Sequence, residues 1–263
     1  MYLTDYHTHT ERSPDSSAPL AEMAEAAVAA GLDELCVTDH CDLLGLYGEP
    51  VDGYDWPPAL EQYAAVAPRY AGKLTIRLGL EFGMGHLNPE ASRAILDRPE
   101  LDFVLGSIHN LCPEKGGTDF YYVDYPDDAA CYAALDDYFT SMAQLAVTDF
   151  YDVLSHIIYP LRYMARPIFL ERYSDLLDTI FRAAAERGRG IEINTWRGRT
   201  LNEWLPILRQ FKARGGEIVT IGSDAHTPDG VGKGSAAACA LLKDAGFRYF
   251  ATYEKRKAVF HTL

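Results

Sequence analysis

Histidines and carboxylates recur in this sequence at positions where short apolar runs end. The first run closes in Asp5-Tyr6-His7-Thr8-His9, and two residues of spacing on an extended segment put both imidazoles on one side, where they can converge on a single ion. Later runs close in Thr38-Asp39-His40, Glu81, His109, His156 and Asp224-Ala225-His226. Six of the eight histidines fall at such ends, a phasing that separately placed core or surface histidines would not show. Imidazole nitrogen mixed with carboxylate oxygen suits Zn, Mn or Fe as divalent ions, whereas all-oxygen shells favour Mg or Ca and thiolate shells mark structural zinc. So many donors exceed what one tetrahedral ion can use. The set therefore implies a cluster in which a carboxylate such as Glu81 bridges two metals, a chemistry suited to phosphoester hydrolysis.

These residues need a scaffold that gathers them, and the rest of the chain supplies its signature. Apolar runs of strand length occur at Tyr2–Tyr6, Glu34–Thr38, Leu74–Leu80, Phe103–Ser107, Tyr151–Ser155, Gly190–Asn194 and Glu217–Gly222. Helical spacing separates most of them, most clearly at Leu170–Arg187, Leu201–Arg214 and Ser235–Ala245. The first helix is framed by Ser17, Ala18 and Pro19 at its start and Gly31 after its end. Alternating strand and helix from end to end predicts an α/β fold with a parallel sheet, and seven units predict a barrel. In a barrel the carboxyl ends of all strands meet on one face, which collects the residues above. Arg248–Tyr253 adds a possible terminal strand. The connections Cys41–Lys73 and Leu111–Asp137, rich in Gly, Pro, Asp and Tyr, read as loops over the site, with Tyr121, Tyr122 and Tyr125 as lid material or a packed cluster. No boundary divides residues 1–263, so a single domain is expected.

Composition narrows the function further. With 263 residues, 48% hydrophobic and 24% charged, the chain can bury a large core, and no stretch approaches the roughly 20 apolar residues of a membrane span. No basic, apolar leader follows Met1, so a cytoplasmic location is expected. Five scattered cysteines without a C-x-x-C pair read as reduced thiols, Cys41 beside His40 included. A formal charge of −14 argues against wrapping nucleic acid. An acidic protein would also repel a phosphate ester, unless two or three bound divalent ions, about four to six positive charges, reverse the local sign.

Taken together, His7-Thr-His9, Thr38-Asp39-His40, Gly79-Leu-Glu81, Gly106-Ser-Ile-His109, Leu154-Ser-His156 and Gly222-Ser-Asp224-Ala-His226 resemble the ordered motifs of the PHP (polymerase and histidinol phosphatase) superfamily. The length, without polymerase appendages, is similar to its histidinol-phosphate phosphatase branch. The resemblance implies a distorted (β/α)7 TIM-like barrel with a trinuclear site. Position by position it assigns metal ligation to His7, His9, His40, Glu81, His109, His156, Asp224 and His226, and adds Asp15, which otherwise reads as a turn residue beside Pro14. The resemblance also implies substrate-side arginines, Arg162 after His156 and Arg197 after the sixth helix-spaced strand, whose planar forks suit phosphate. His86 and His261 lie off the strand ends and read as non-catalytic. Asp39 reads as a turn residue or as a carboxylate orienting a histidine.

The expected reaction is hydrolysis of a small phosphomonoester, L-histidinol phosphate first, by a metal-activated hydroxide attacking in line. Metals and Arg162 or Arg197 hold the nonbridging oxygens, and His226 or Asp15 is a candidate proton donor to the leaving alcohol. The rivals are a PHP phosphatase for another ester, such as a nucleotide or phosphotyrosine, and a non-catalytic metal-binding regulatory barrel.

Overall fold

Apolar, β-branched runs bounded by turns become a nearly closed parallel sheet in the computed structural model, which describes residues 1–51, 53–201 and 203–263. Its strands are β1 (Thr4–Thr8), β2 (Glu34–Val37), β3 (His40–Asp42), β4 (Thr75–Gly83), β5 (Phe103–Ser107), β6 (Val153–Leu154), β7 (Gly190–Asn194) and β8 (Val219–Gly222). They are ordered β1-β2-β4-β5-β6-β7-β8, and β3 also pairs with β4. Val37 faces Leu78 and His40 faces Glu81, so β3 continues β2 in unchanged register across a break at Thr38-Asp39. Seven staves thus form the barrel. The last seam, between β8 and β1, closes only near the mouth: the Asp224 amide donates to the His7 carbonyl and the His9 amide to the Ala225 carbonyl, each at 2.9 Å. Below these bonds the Asp5 carboxylate replaces a ladder, accepting from the Ser223 amide (2.8 Å) and hydroxyl (2.5 Å).

One irregularity in β1 has two effects. Asp5 pairs with Leu35 but Thr8 with Val37, so Tyr6 and His7 together oppose Cys36 in a β-bulge. Neighbouring residues of a regular strand face opposite ways. The bulge turns Tyr6 into the lower interior, against Cys36, Phe103, Leu105 and Val153, while His7 reaches the Glu81 carboxylate above. An antiparallel hairpin, β9 (Tyr249–Glu254) with β10 (Lys257–Thr262), closes the base. Ala251 and Tyr253 complete the lower cluster, and the Tyr6 hydroxyl receives the Tyr253 amide at 2.8 Å. The expected terminal strand is therefore half of a hairpin; β10 is largely exposed, and its apolar residues Ala258, Val259 and Phe260 are consecutive and do not alternate.

Helices α1 (Leu20–Ala29), α2 (Trp56–Val66), α3 (Pro89–Leu96), α4 (Asp128–Ala146), α5 (Ser174–Glu186), α6 (Trp204–Ala213) and α7 (Ser235–Asp244) are the α-helices of the described residues. Their apolar sides, such as Leu177, Ile180, Phe181 and Ala184 of α5, bury against the outward residues of the strands. Several expected boundaries are corrected. Strand one runs Thr4–Thr8, not Tyr2–Tyr6, and α1 starts after Pro19 without a side-chain cap from Ser17. The supposed loop Cys41–Lys73 contains most of β3 and all of α2, and the supposed loop Leu111–Asp137 includes the first half of α4. No helix among the described residues is long and apolar enough to cross a membrane.

Candidate active site

The mouth of the barrel collects His7 and His9 from β1, His40 from β3, Glu81 from β4, and His109, His156, Asp224 and His226 from the turns after β5, β6 and β8. Asp15 joins them from the loop after β1, with Oδ2 at 2.9 Å from His226 Nε2 and 3.6 Å from His40 Nε2. All nine residues singled out as ligands are thus brought together. His86 sits in a short 3-10 turn, Gly85–Leu87, away from them. His261 stacks on Tyr2 and shares a 2.8 Å hydrogen bond with the Thr252 hydroxyl. Cys41 packs into the apolar core.

Glu81 organises the centre. Its Oε2 lies 3.0 Å from His7 Nε2, 3.4 Å from His9 Nε2 and 3.1 Å from His40 Nδ1. Its Oε1 lies 3.0 Å from His109 Nε2 and 2.9 Å from His156 Nε2, and accepts the Ser107 hydroxyl at 2.8 Å. The two oxygens of one carboxylate therefore face two separate groups of imidazole nitrogens. His7 Nε2, His9 Nε2, His40 Nδ1 and Glu81 Oε2 are buried without a hydrogen-bond partner, and His109 Nε2 stands 3.2 Å from His156 Nε2. Leaving buried polar atoms unpartnered is costly, about 1–3 kcal/mol each. Nitrogen and oxygen lone pairs converging on shared points fit divalent cations. Four such triads are formed: His7/His9/Asp224, His7/Glu81/His156, His9/His40/His226 and His40/Asp42/His109.

Protons stand in for part of that positive charge in the metal-free protein. Burial opposes protonation of His7, yet Glu192, Glu81 and Asp224 raise its pKa well above the ordinary value. His109 is raised likewise, against burial, by Asp42 and Glu81. His9 is driven well below its ordinary value by burial and by the neighbouring His226 and His40. Glu81 stays ionised despite burial because His7, His109 and His40 surround it, and Asp224 does so through His7 and Arg162.

Further groups orient the imidazoles from behind. Glu192 Oε1 lies 2.7 Å from His7 Nδ1, Asp42 Oδ1 lies 2.6 Å from His109 Nδ1, and the Ser13 hydroxyl lies 3.1 Å from His9 Nδ1. Asp39 receives Ser13 and the Thr10 amide, so it both orders the turn and reaches His9 through Ser13. Sequence reasoning missed Asp42 and Glu192. The signal was period two: Asp42 shares a strand face with His40, and Glu192 is a carboxylate inside the apolar run Gly190–Asn194. Partners of this kind fix the ring and raise its basicity, and losing one costs about 10–100-fold in metal affinity. Glu192→Gln is accordingly expected to weaken metal binding by that factor in a competition titration with a chromophoric chelator; unchanged affinity would remove Glu192 from this role.

A cleft of about 610 Å3 opens above the cluster, lined by Asp15, His40, Glu81, His109, His156, Asp224 and His226 on its floor and by Arg162, Arg197, Tyr159 and Trp196 on its wall. Arg162 is only 4% exposed; it donates to Asp224 Oδ2 and Asn194 Oδ1, both at 2.7 Å, and lies between the rings of Tyr159 and Trp196. Trp196, Arg197 and Asp224 all adopt positive φ (44°, 57° and 59°), a strained backbone for residues with side chains. The Arg197 amide is tied to the Ser223 carbonyl at 2.8 Å, so the strain fixes where its side chain leaves the chain.

Residues 5–196 match the model of the PHP domain family. A Clostridium acetobutylicum protein named "probable histidinol-phosphatase" is 34% identical over 87% of this chain and 88% of its own length. A Deinococcus radiodurans protein of the same printed name is 30% identical over 97% of this chain and 98% of its own. The crystal structure of histidinol phosphate phosphatase from Lactococcus lactis, complexed with zinc, L-histidinol and phosphate, superposes with a TM-score of 0.82 at 26% identity, covering 98% of each chain. A strand-end cluster centred on Glu81, a (β/α) barrel of seven staves and a family match over most of the length lead to one assignment: this chain belongs to the PHP domain family.

Proposed function

We propose that the chain is a metal-dependent phosphatase that hydrolyses L-histidinol phosphate to L-histidinol and phosphate. The observation that carries the reading is the division of Glu81, one oxygen toward His7, His9 and His40 and the other toward His109 and His156. The zinc, L-histidinol and phosphate bound by the Lactococcus lactis structure support it. His7, His9 and Asp224 with Glu81 Oε2 would hold one cation, His109 and His156 with Glu81 Oε1 a second, and Asp15, His40 and His226 a third. The mixed nitrogen and oxygen donors suit Zn, Mn or Fe. Such ions supply Lewis acidity, charge neutralisation and a lowered pKa for coordinated water.

The chain's own residues do the rest. Arg162 and Arg197 line the same cleft as the cluster, and a guanidinium fork suits phosphate oxygens. Arg162 is committed to Asp224 and Asn194, so it fixes that carboxylate as well as contributing charge. Arg197 has no hydrogen-bond partner on its buried Nε and is the freer of the two to close on phosphate. Asp15 is held well below the usual carboxylate range by His226 and His40 despite the desolvation acting against it, so it serves as an ionised ligand or proton acceptor.

Arg197→Ala is expected to raise KM by roughly tenfold to a hundredfold, the loss of one or two charge-assisted hydrogen bonds to phosphate; steady-state kinetics on metal-loaded protein measures it. The substrate assignment is tested by comparing kcat/KM for L-histidinol phosphate, a nucleoside monophosphate, phosphotyrosine and p-nitrophenyl phosphate. A clear preference for L-histidinol phosphate is expected, and equal values would overturn it.

A further inference from the structure

Above the metal-ligand cluster the cleft wall is aromatic and carries one carboxylate that the reaction just described does not use. The Tyr159 ring lies tilted beside those of His156 and His109, with centroids 4.7 and 5.3 Å away, and the aromatic row continues outward through Tyr163, Tyr121, Tyr122 and Tyr47 at 4.9–5.5 Å steps. Asp119 lies on the same wall. Its Oδ1 accepts the Tyr121 amide at 2.7 Å and faces the Tyr159 hydroxyl at 3.4 Å, while Oδ2 has no partner among the described residues. Its main chain is pinned on both sides, with the amide donating to the Leu46 carbonyl and the carbonyl accepting from the Tyr122 amide.

We propose that Asp119 is the specificity residue for the leaving alcohol: its free Oδ2 receives a cationic nitrogen of the substrate while the tyrosine wall covers a flat ring. The inference rests on the phosphatase reading above and extends it from phosphate to alcohol. One tyrosine side chain separates Asp119 from the imidazoles, so a cation a few bonds from the ester oxygen falls within its reach. An ammonium or imidazolium gains from both neighbours, since carboxylates pair with it and aromatic faces attract cations. Burial raises the proton affinity of Asp119, and an incoming cation gains correspondingly more than at an open surface. The wall is partly exposed at its outer end, with Tyr121 at 59% and Tyr122 at 46%, which leaves apolar area for a ligand to cover.

The test is D119N, which keeps an acceptor for the Tyr121 amide, measured on three esters with metal-loaded protein. For L-histidinol phosphate and for 2-aminoethyl phosphate, kcat/KM is expected to fall at least tenfold, mostly through KM, as befits one lost charge-assisted hydrogen bond. For p-nitrophenyl phosphate, which carries no cation, it is expected to hold. A uniform fall on all three esters, or no change on any, overturns the role of Asp119. Because 2-aminoethyl phosphate and p-nitrophenyl phosphate differ in charge without involving histidinol, the comparison decides on Asp119 even if wild-type protein shows no preference for L-histidinol phosphate.

Discussion

Glu81→Gln is expected to lower turnover by at least about a thousandfold, several kcal/mol of lost transition-state stabilisation, and to cost the protein at least one metal ion. The amide has nearly the same shape as the carboxylate, so packing is preserved and the effect is electronic. One of its two atoms becomes an N–H donor. Whichever way it turns, that donor replaces an anionic oxygen facing either His7, His9 and His40 or His109 and His156. Either orientation strips one group of imidazoles of its shared anionic partner. Metal content by plasma mass spectrometry and turnover on L-histidinol phosphate are read together, and a variant with full metal content and near wild-type turnover would refute the bridging role.

Metal removal is the second large effect. Prolonged chelation is expected to abolish turnover and to lower Tm by roughly 10 °C, the stabilisation of about 4 kcal/mol that a ligand at a thousand times its Kd gives a protein of this size. Added Zn or Mn should restore both. The loss depends on pH in a definite direction. Burial works against protonation of His40, but Glu81, Asp15 and Asp42 carry its pKa from 6.5 up to about 9 in the metal-free protein. A pKa raised on folding adds stability that is fully present below 6.5 and disappears as pH rises through 9. A cation needs the neutral imidazole, so its binding strengthens over the same interval. The gap in Tm between loaded and stripped protein should therefore widen from pH 6.5 to pH 9, and a gap that narrows would contradict the assignment of His40.

Much of this was legible in the sequence because barrel topology makes strand ends informative. His7, His9, His40, Glu81, His109, His156, Asp224 and His226 each follow an apolar run, and the fold places such positions on one face whatever their separation. The elements missed had local reasons. Helix α2 begins Trp56-Pro57-Pro58, and the prolines that suggest a loop are suited to a helix's first turn. In α4 the apolar rhythm is broken by Asp137, buried because it accepts the Cys112 amide and pairs with Lys115. Strand β3 is only three residues long and has meaning only as the continuation of β2 along β4. Asp119 and Arg197 owe their positions to loop geometry, a network of backbone bonds and a positive φ, which no periodicity encodes.

The seam between β8 and β1 carries a consequence of its own. The backbone bonds that close the barrel belong to His7, His9, Asp224 and Ala225, the same turns that present the ligands. The hoop is fastened by its own clasp, and cations held by those side chains would also keep the clasp shut. Stripping the ions is therefore expected to loosen this joint, read as faster hydrogen exchange at the His9 and Asp224 amides.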